Sequence, residues 1–323
     1  MAQGLWKLEA LTNKHYTTKQ TREGVVLRLG KTLFPFFERF GIHITRNTFY
    51  SPVPDTGTLE DHLWKNHSEL VGIDVRKETQ LALLSTLVAK FKDEYRNLPL
   101  NDEQPLKPYD YYINNGLFES VDGEILYCMI RYFKPKKIFE IGSGNSTYLS
   151  AKAVLKNREE DAGADCNLVA MEPYPNPVLK AGFPGLSKLL VVKIQDIPTS
   201  EFQKLNANDV LFIDSSHVVK LGSDVWYEYL EILPRLNKGV VVHAHDIFLP
   251  AEYPKDWVLK NLKFYNEQYL LQAFLTFNNA FEVLWMSHYM HLKHPEHLRS
   301  AFPSYGAAGG RVPPASFWMR KTE

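Results

Sequence analysis

The sequence predicts an α/β protein, a largely parallel sheet covered by helices on both faces and preceded by an N-terminal, mainly helical extension. Two observations carry that prediction. From about residue 120 onward, short apolar runs of strand length alternate with helical candidates, whereas residues 1–105 contain no clear buried strand. Strands that read as continuous apolar runs belong in a sheet covered on both sides. Length and composition agree. The 323 residues are 45% hydrophobic and 23% charged, ordinary for a globular chain with a sizeable core.

The extension (1–105) has one clear element. Between Asp74 and Tyr95, residues Leu84, Leu87, Val88, Phe91 and Tyr95 recur at helical spacing along one face. The loop FYSPVPDTG (Phe49 to Gly57) carries prolines and glycine that suit ordered irregular structure, and it could cover a site. The polar segment 101–108 reads as a linker to a second domain, 106–323. In that domain the strand candidates are Lys137–Ile141, Leu168–Met171, Leu189–Ile194, Val210–Ile213, Gly239–His243, Phe281–Met286 and Ser316–Met319. The helical candidates are Ser146–Asn157, Ser223–Leu233 and Trp257–Phe277. Ahead of them, Tyr111, Tyr112 and Asn114 in an aromatic stretch either close over a ligand or pack between the two regions.

Several function classes recede on composition. Lys and Arg number 37 against 37 Asp and Glu, so nothing marks a basic nucleic-acid binder. Two cysteines, Cys128 and Cys166, are too few for a disulfide framework. The first 20 residues lack the apolar run of a signal peptide, and no stretch approaches the length of a membrane span. The expectation is a soluble cytoplasmic protein with no membrane partner. The extension could equally serve as a lid or as the surface of a homo-oligomer.

The segment KKIFEIGSGNSTYLSAKAVL is the most informative. A strand ends at Glu140-Ile141, Gly142-Ser143-Gly144 turns the chain, and a helix begins near Ser146-Thr147. Glycines allow the tight turn and the close approach of a ligand, and the helix start offers free N–H groups to an anionic group. A dinucleotide fingerprint needs a third glycine, which is absent here. The pattern resembles the first motif of class I S-adenosylmethionine (SAM)-dependent methyltransferases, an acid followed by spaced glycines, with Ser146 at the third glycine position. That resemblance implies a Rossmann-like doubly wound seven-stranded sheet whose last strand is antiparallel. It also implies that Glu140, Gly142, Ser143, Gly144, Ser146 and Thr147 bind SAM. Glu172 after the second strand would take the ribose hydroxyls, Asp196 after the third the adenine amino group, and Asp214 after the fourth would join them. Ligands of such sheets bind beyond the carboxyl ends of the strands.

The fifth strand runs into GVVVHAHDIF, with His243 and His245 on one strand face and Asp246 at the strand end. Two imidazoles with carboxylates form an N/O donor set. The layout looks like the catechol O-methyltransferase group. That resemblance implies a divalent metal on Asp214, His245 and Asp246, with His243 as a further candidate, and a base at His217 three residues after Asp214. The group's ion is magnesium, while histidine donors favour manganese, iron, cobalt or zinc. Near pH 7 a histidine of ordinary pKa, about 6.5, is largely neutral and able to accept a proton. Glu252, Tyr253 and Trp257 follow closely enough to line an acceptor pocket, and His288, His291, His294 and His297 recur every three residues without a settled role.

The expected function is therefore SAM-dependent O-methylation of a small-molecule hydroxyl, on a sugar or secondary metabolite, with Asp214 and His217 catalytic. The alternatives are a metal-independent N-methyltransferase, an NAD-dependent dehydrogenase and a non-catalytic SAM-binding module.

Overall fold

The computed structural model describes residues 33–43, 45, 47–102, 107–307 and 313–323. The N-terminal 20 residues, where no signal peptide is expected, lie outside them. The chain forms two compact units, Met1–Glu60 and Asp61–Glu323. In the first, a short helix spans 33–38. The Pro-rich loop there ends in a single 3-10 turn, Thr56–Thr58, capped by the Asp55 side chain.

After one short helical turn at His62–Lys65, the second unit runs through α1 (Lys77–Tyr95), α2 (Asp122–Phe133), β1 (Lys137–Ile141), α3 (Asn145–Glu160), β2 (Asn167–Met171) and β3 (Lys188–Leu190). It continues through β4 (Val210–Ile213), β5 (Val241–Ala244), α4 (Glu267–Leu275), β6 (Phe281–Met286), α5 (Ser287–Lys293) and β7 (Phe317–Lys321). The seven strands form one sheet in the order β3-β2-β1-β4-β5-β7-β6. The first five pair in parallel, and β7 lies antiparallel between β5 and β6. This is the Rossmann-like doubly wound sheet expected from the sequence.

Both faces of the sheet are buried, and successive residues of a strand serve opposite faces. Val210 and Phe212 pack into the core shared with α1, α2 and α3, while Leu211 and Ile213 pack into the core on the other side. Fully burying a side chain of this size is worth roughly 1.5–3 kcal/mol, so the central strands anchor the fold. On the first face α1 inserts Leu84, Leu87, Phe91 and Tyr95. The Arg131 guanidinium of α2, 1% exposed, ties three helices together by meeting Glu94 of α1 at 2.7 Å and Glu160 of α3. Thus α1, which the sequence reading assigns to the extension, is part of the sheet-containing unit.

Two predicted helices break. Ser223–Leu233 divides into an α-turn (Asp224–Tyr227), a π-turn (Glu228–Ile232) and a 3-10 turn (Leu233–Arg235) that contains Pro234. Trp257–Phe277 divides into Lys255–Leu259 and α4. The reason lies at the start of α4, where the N–H groups of Asn266 and Glu267 bond to the carbonyl of His217 at 3.0 and 3.2 Å. The helix cannot extend further back because its first donors are held by another loop. The third strand is also shorter than expected, giving way to a 3-10 turn at Ile194–Asp196.

Candidate active site

Strand register assembles the site. Ile141 aligns with Met171 and with Ile213, and Ile213 aligns with Ala244. The next residue of each strand, Gly142, Glu172, Asp214 and His245, therefore stands in one row along the carboxyl edge. Backbone bonds hold the row: Gly142 N–H to Met171 O (3.0 Å), Asp214 N–H to Ile141 O (2.8 Å) and His245 N–H to Ile213 O (3.0 Å).

A cleft of about 440 Å³ opens over this row, lined by Gly142, Glu172, Tyr174, Gln195, Asp214 and Ser215 among others. Gly142 has φ +75°, and a Cβ there would lie 1.8 Å from the carbonyl oxygen of Asp214. Only glycine fits that contact. Gly144 differs, because a Cβ there would meet nothing within 4 Å. The Ser143 hydroxyl beside it is buried without a partner. Glu172 is oriented by two backbone donors, Tyr174 N–H at 2.7 Å and Ser143 N–H at 3.3 Å, which leaves lone pairs for a diol. Open space at Gly144, an orphan hydroxyl and a preset carboxylate fit a nucleoside with an amino-acid tail.

Some residues expected at the cofactor do not line this cleft. Glu140 is fully buried, and its carboxylate accepts from the hydroxyls of Ser146 (2.6 Å) and Thr147 (3.0 Å). Thr147 Oγ1 in turn accepts from Gly144 N–H (3.0 Å). The three residues lock the glycine loop to α3 from beneath and do not line the cleft. Burial pushes the Glu140 carboxyl up to about 8 despite those two hydroxyls. Asp196 is exposed on its 3-10 turn, and Lys193, Ile194 and Gln195 line the cleft in its place.

Next to the cleft lies a cluster of ionisable groups. His217 Nε2 stands 3.2 Å from Asp214 Oδ1 and 3.5 Å from Asp246 Oδ2. His245 Nδ1 stands 3.5 Å from Asp214 Oδ1 and from Asp246 Oδ1. The far nitrogen of each ring also faces a carboxylate: His217 Nδ1–H donates to Glu267 Oε2 at 2.9 Å, and His245 Nε2 lies 3.6 Å from Asp122 Oδ2. Glu267 is held from its other oxygen by the Tyr229 hydroxyl at 2.8 Å. Backbone conformation is strained here, with φ +60° at His217, +55° at Asp246 and +71° at Val121, which precedes Asp122. Positive φ at non-glycine residues gathers where function holds it.

The charge states follow from this geometry. Burial opposes the charge on His217, but Asp214, Glu267 and Asp246 outweigh it and raise its pKa well above the usual value. The sequence-based expectation of a largely neutral His217 at pH 7 is thereby corrected, since three carboxylates surround the ring. Burial likewise opposes charge on His245, and Asp214 and Asp246 overcome it. Asp214 is held well below the carboxylate range because the two histidines outweigh its burial. For Asp246 burial prevails over the same two histidines, and its pKa is raised.

His243 stands apart. It is fully buried with its ring stacked 3.9 Å from Phe212, and its Nε2 meets the Ser316 hydroxyl at 3.0 Å. Burial and the neighbouring His245 keep it neutral. Among the described residues, no group of three or more His, Cys, Asp or Glu side chains is arranged to hold a metal ion. The expected divalent ion on Asp214, His245, Asp246 and His243 finds no support. The donors of the cluster face one another as ion pairs, and His243 is turned into the core.

On the far side of the cluster is a second pocket of about 90 Å³, lined by Asp122, His245, Asp246, Trp257, Lys263 and Pro314 among others. Trp257 is among the residues lining it. Tyr253 instead packs into an aromatic core with Phe248, and Glu252 accepts from the Tyr269 hydroxyl at 2.5 Å. Tyr111 is buried with its hydroxyl on Phe118 O (2.8 Å), a core residue and not a cover. The histidines at three-residue spacing pack in two pairs, His288 with His291 (ring centres 5.4 Å apart) and His294 with His297 (5.7 Å), while His288 faces Pro314 O (3.2 Å) and His291 the Tyr305 hydroxyl (2.7 Å). Glu267, Tyr229, Asp122 and Lys263 carry no local motif and escaped the sequence reading; an acid opening a helix was the sole available signal for Glu267.

Residues 139–247, from β1 to just past β5, match the family model described as a methyltransferase domain. This part of the chain carries a methyltransferase domain. A relative from Archaeoglobus fulgidus, an uncharacterized protein, is 34% identical over 167 residues, which are 50% of this chain and 72% of the relative. Among solved structures, an O-methyltransferase from Bacillus cereus in complex with SAH aligns over 75% of this chain and 91% of its own, at 12% identity and TM-score 0.34. A Plasmodium falciparum protein-L-isoaspartate O-methyltransferase in complex with S-adenosyl-L-homocysteine aligns over 51% and 83%, at 14% identity and TM-score 0.30. Those two superpositions are loose, and the assignment stands on the family match across the glycine loop and the four aligned strand ends. Among the described residues of the methyltransferase, no helix is long and apolar enough to cross a membrane.

Proposed function

We propose that this SAM-dependent methyltransferase methylates a hydroxyl group of a small molecule, with His217 as the general base. One observation carries the reading. The cluster Asp214–His217–His245–Asp246 stands between two openings, with Asp214 lining the 440 Å³ cleft and Asp246 and His245 lining the 90 Å³ pocket. A base placed between a donor site and an acceptor site is what a displacement at oxygen requires.

SAM, when bound, supplies a methyl group already activated by its sulfonium. Glu172 and the Ser143–Gly144 turn would hold it. The remaining work falls to the protein. Glu267 accepts the Nδ1–H of His217, which fixes the ring so that Nε2 faces Asp214 and Asp246, and the acceptor hydroxyl would approach it there. Once Nε2 has released its proton, it can take the proton of the acceptor hydroxyl as the carbon–oxygen bond forms. The imidazolium that results is stabilised by the same three carboxylates. No step requires a metal.

The test is turnover of a panel of small hydroxyl compounds, read as S-adenosylhomocysteine release with the methylated atom located by mass spectrometry. His217→Gln should lower kcat by about 10²–10⁴, the range of a lost general base, with S-adenosylhomocysteine affinity unchanged. Equal turnover by the variant would overturn the role of His217. A methylated amine would replace oxygen by nitrogen as the acceptor atom. Loss of activity on exhaustive chelation, restored by manganese, would replace the metal-free mechanism.

A further inference from the structure

The acceptor pocket has an uneven charge inventory. Its acids are already engaged. Asp122 accepts backbone N–H bonds from Ala315 (2.7 Å) and Ser316 (3.0 Å), and Glu119 accepts from Gly116 N–H (3.0 Å). Asp246 stands between His217 and His245. Lys263 is different. Among the described residues it has no carboxylate within ion-pair distance, and its ammonium lies over two aromatic rings, 4.3 Å from the centre of Trp257 and 5.5 Å from that of Tyr265.

That placement is built into the backbone. Lys263 N–H bonds to Trp257 O at 2.9 Å, folding the loop back on the short helix Lys255–Leu259. Leu262 adopts φ +54° to permit the reversal. Tyr265 packs edge-on against Trp257 and lies 4.8 Å from the His217 ring. The Tyr265 ring is thus a shared neighbour of the ammonium and of the base. Aromatic faces attract a cation without neutralising it, and they displace part of its water, so an anion reaching it meets a preorganised charge.

We propose that Lys263 is an acceptor-binding residue, and that the acceptor of this enzyme is a hydroxy acid. Its anionic group meets the Lys263 ammonium at the mouth of the 90 Å³ pocket while its hydroxyl faces His217. The inference rests on the hydroxyl-acceptor reading above and adds the chemical class.

The test uses the full chain saturated with S-adenosylhomocysteine and titrated with benzoate and with benzyl alcohol, followed by saturation-transfer NMR. Benzoate should bind at least about tenfold more tightly, a difference of about 1.4 kcal/mol. Lys263→Met should abolish the preference and Lys263→Arg retain it, with melting temperatures unchanged. Equal binding of the two probes, no benzoate binding at all, or a preference that survives Lys263→Met would overturn the proposal. Because the readout is binding, failure here is separable from failure of the hydroxyl reading, which His217→Gln turnover reports. Anion binding that depends on Lys263 with an amine as methyl acceptor would keep the subsite and discard the hydroxyl.

Discussion

His217 illustrates how far a residue's type underdetermines its chemistry. Its place three residues after a strand-end acid was legible in the sequence, but its charge state was not, because that depends on Glu267, fifty residues away, and on Asp246 from the next strand. The sign of the consequence is fixed. A histidine whose pKa is raised on folding adds stability that is complete below its unfolded value, about 6.5, and is lost as pH rises through the folded value. Over the same interval the ring becomes able to accept a proton. Activity should therefore climb with pH on a limb centred well above 6.5, while the melting temperature falls. Titratable and charged neighbours of the ring are Asp214, Asp246, Glu267, Tyr265 and, behind Glu267, Tyr229 and Glu228. Glu267→Gln removes one charge without removing the side chain and should shift the limb to lower pH by about 1–2 units, the size of a close carboxylate's effect. A kcat–pH profile identical to that of the parent would show that the limb belongs to another group.

At the scale of elements, the strand–glycine–helix unit was legible because its constraints are local. Strand β1 ends as read, the turn needs Gly142, and α3 begins one residue before the position chosen from Ser146. The two glycines look alike in sequence yet differ in the structure: Gly142 is pressed against the neighbouring strand and Gly144 borders open space, where we propose the ligand lies. Gly142→Ala places a methyl group against Asp214 O in a left-handed conformation and should cost about 3 kcal/mol or more of stability. Gly144→Ala meets empty space and has φ −179°, so it should melt with the parent. Its effect should appear in calorimetry, as S-adenosylhomocysteine affinity reduced about tenfold, or about 1.4 kcal/mol. A Gly144→Ala variant that binds as the parent does would mean that the open space is not where the ligand lies. The elements that escaped the sequence were those set by distant partners. The π-turn at Glu228–Ile232 turns Tyr229 toward Glu267, and the helix predicted over Trp257–Phe277 is interrupted because the first donors of α4 serve the His217 carbonyl. Periodicity records which face of a segment is buried, and it holds no information about a carbonyl from another loop.

At the scale of the molecule, the row of strand-end residues depends on more of the chain than the strands that carry it. Composition suggested a division near the polar segment 101–108, where the strand–helix rhythm begins. Packing places a division at Glu60–Asp61. The difference turns on α1, whose amphipathic face supplies Leu84, Leu87, Phe91 and Tyr95 to the core beneath the sheet. Its Gln80 side chain also accepts from the N–H of Met286 at 2.8 Å, at the end of β6. Tyr95 donates to Ala301 O at 2.9 Å, and Glu94 meets Arg131, which is almost wholly buried. Removing α1 would expose that core and leave the buried Arg131 charge with Glu160 but without Glu94, a loss of up to about 3–5 kcal/mol for the ion pair, a large share of the stability of a typical domain. A chain of residues 61–323 retains every one of these contacts together with both cores, the glycine loop and the His217 cluster. It should fold cooperatively and bind S-adenosylhomocysteine with the affinity of the full chain. A chain of residues 106–323 should give no cooperative melting transition. Calorimetric binding and thermal unfolding of the two truncations decide the matter. A cooperative 106–323 fragment that binds the nucleoside would show that α1 is dispensable to the catalytic unit.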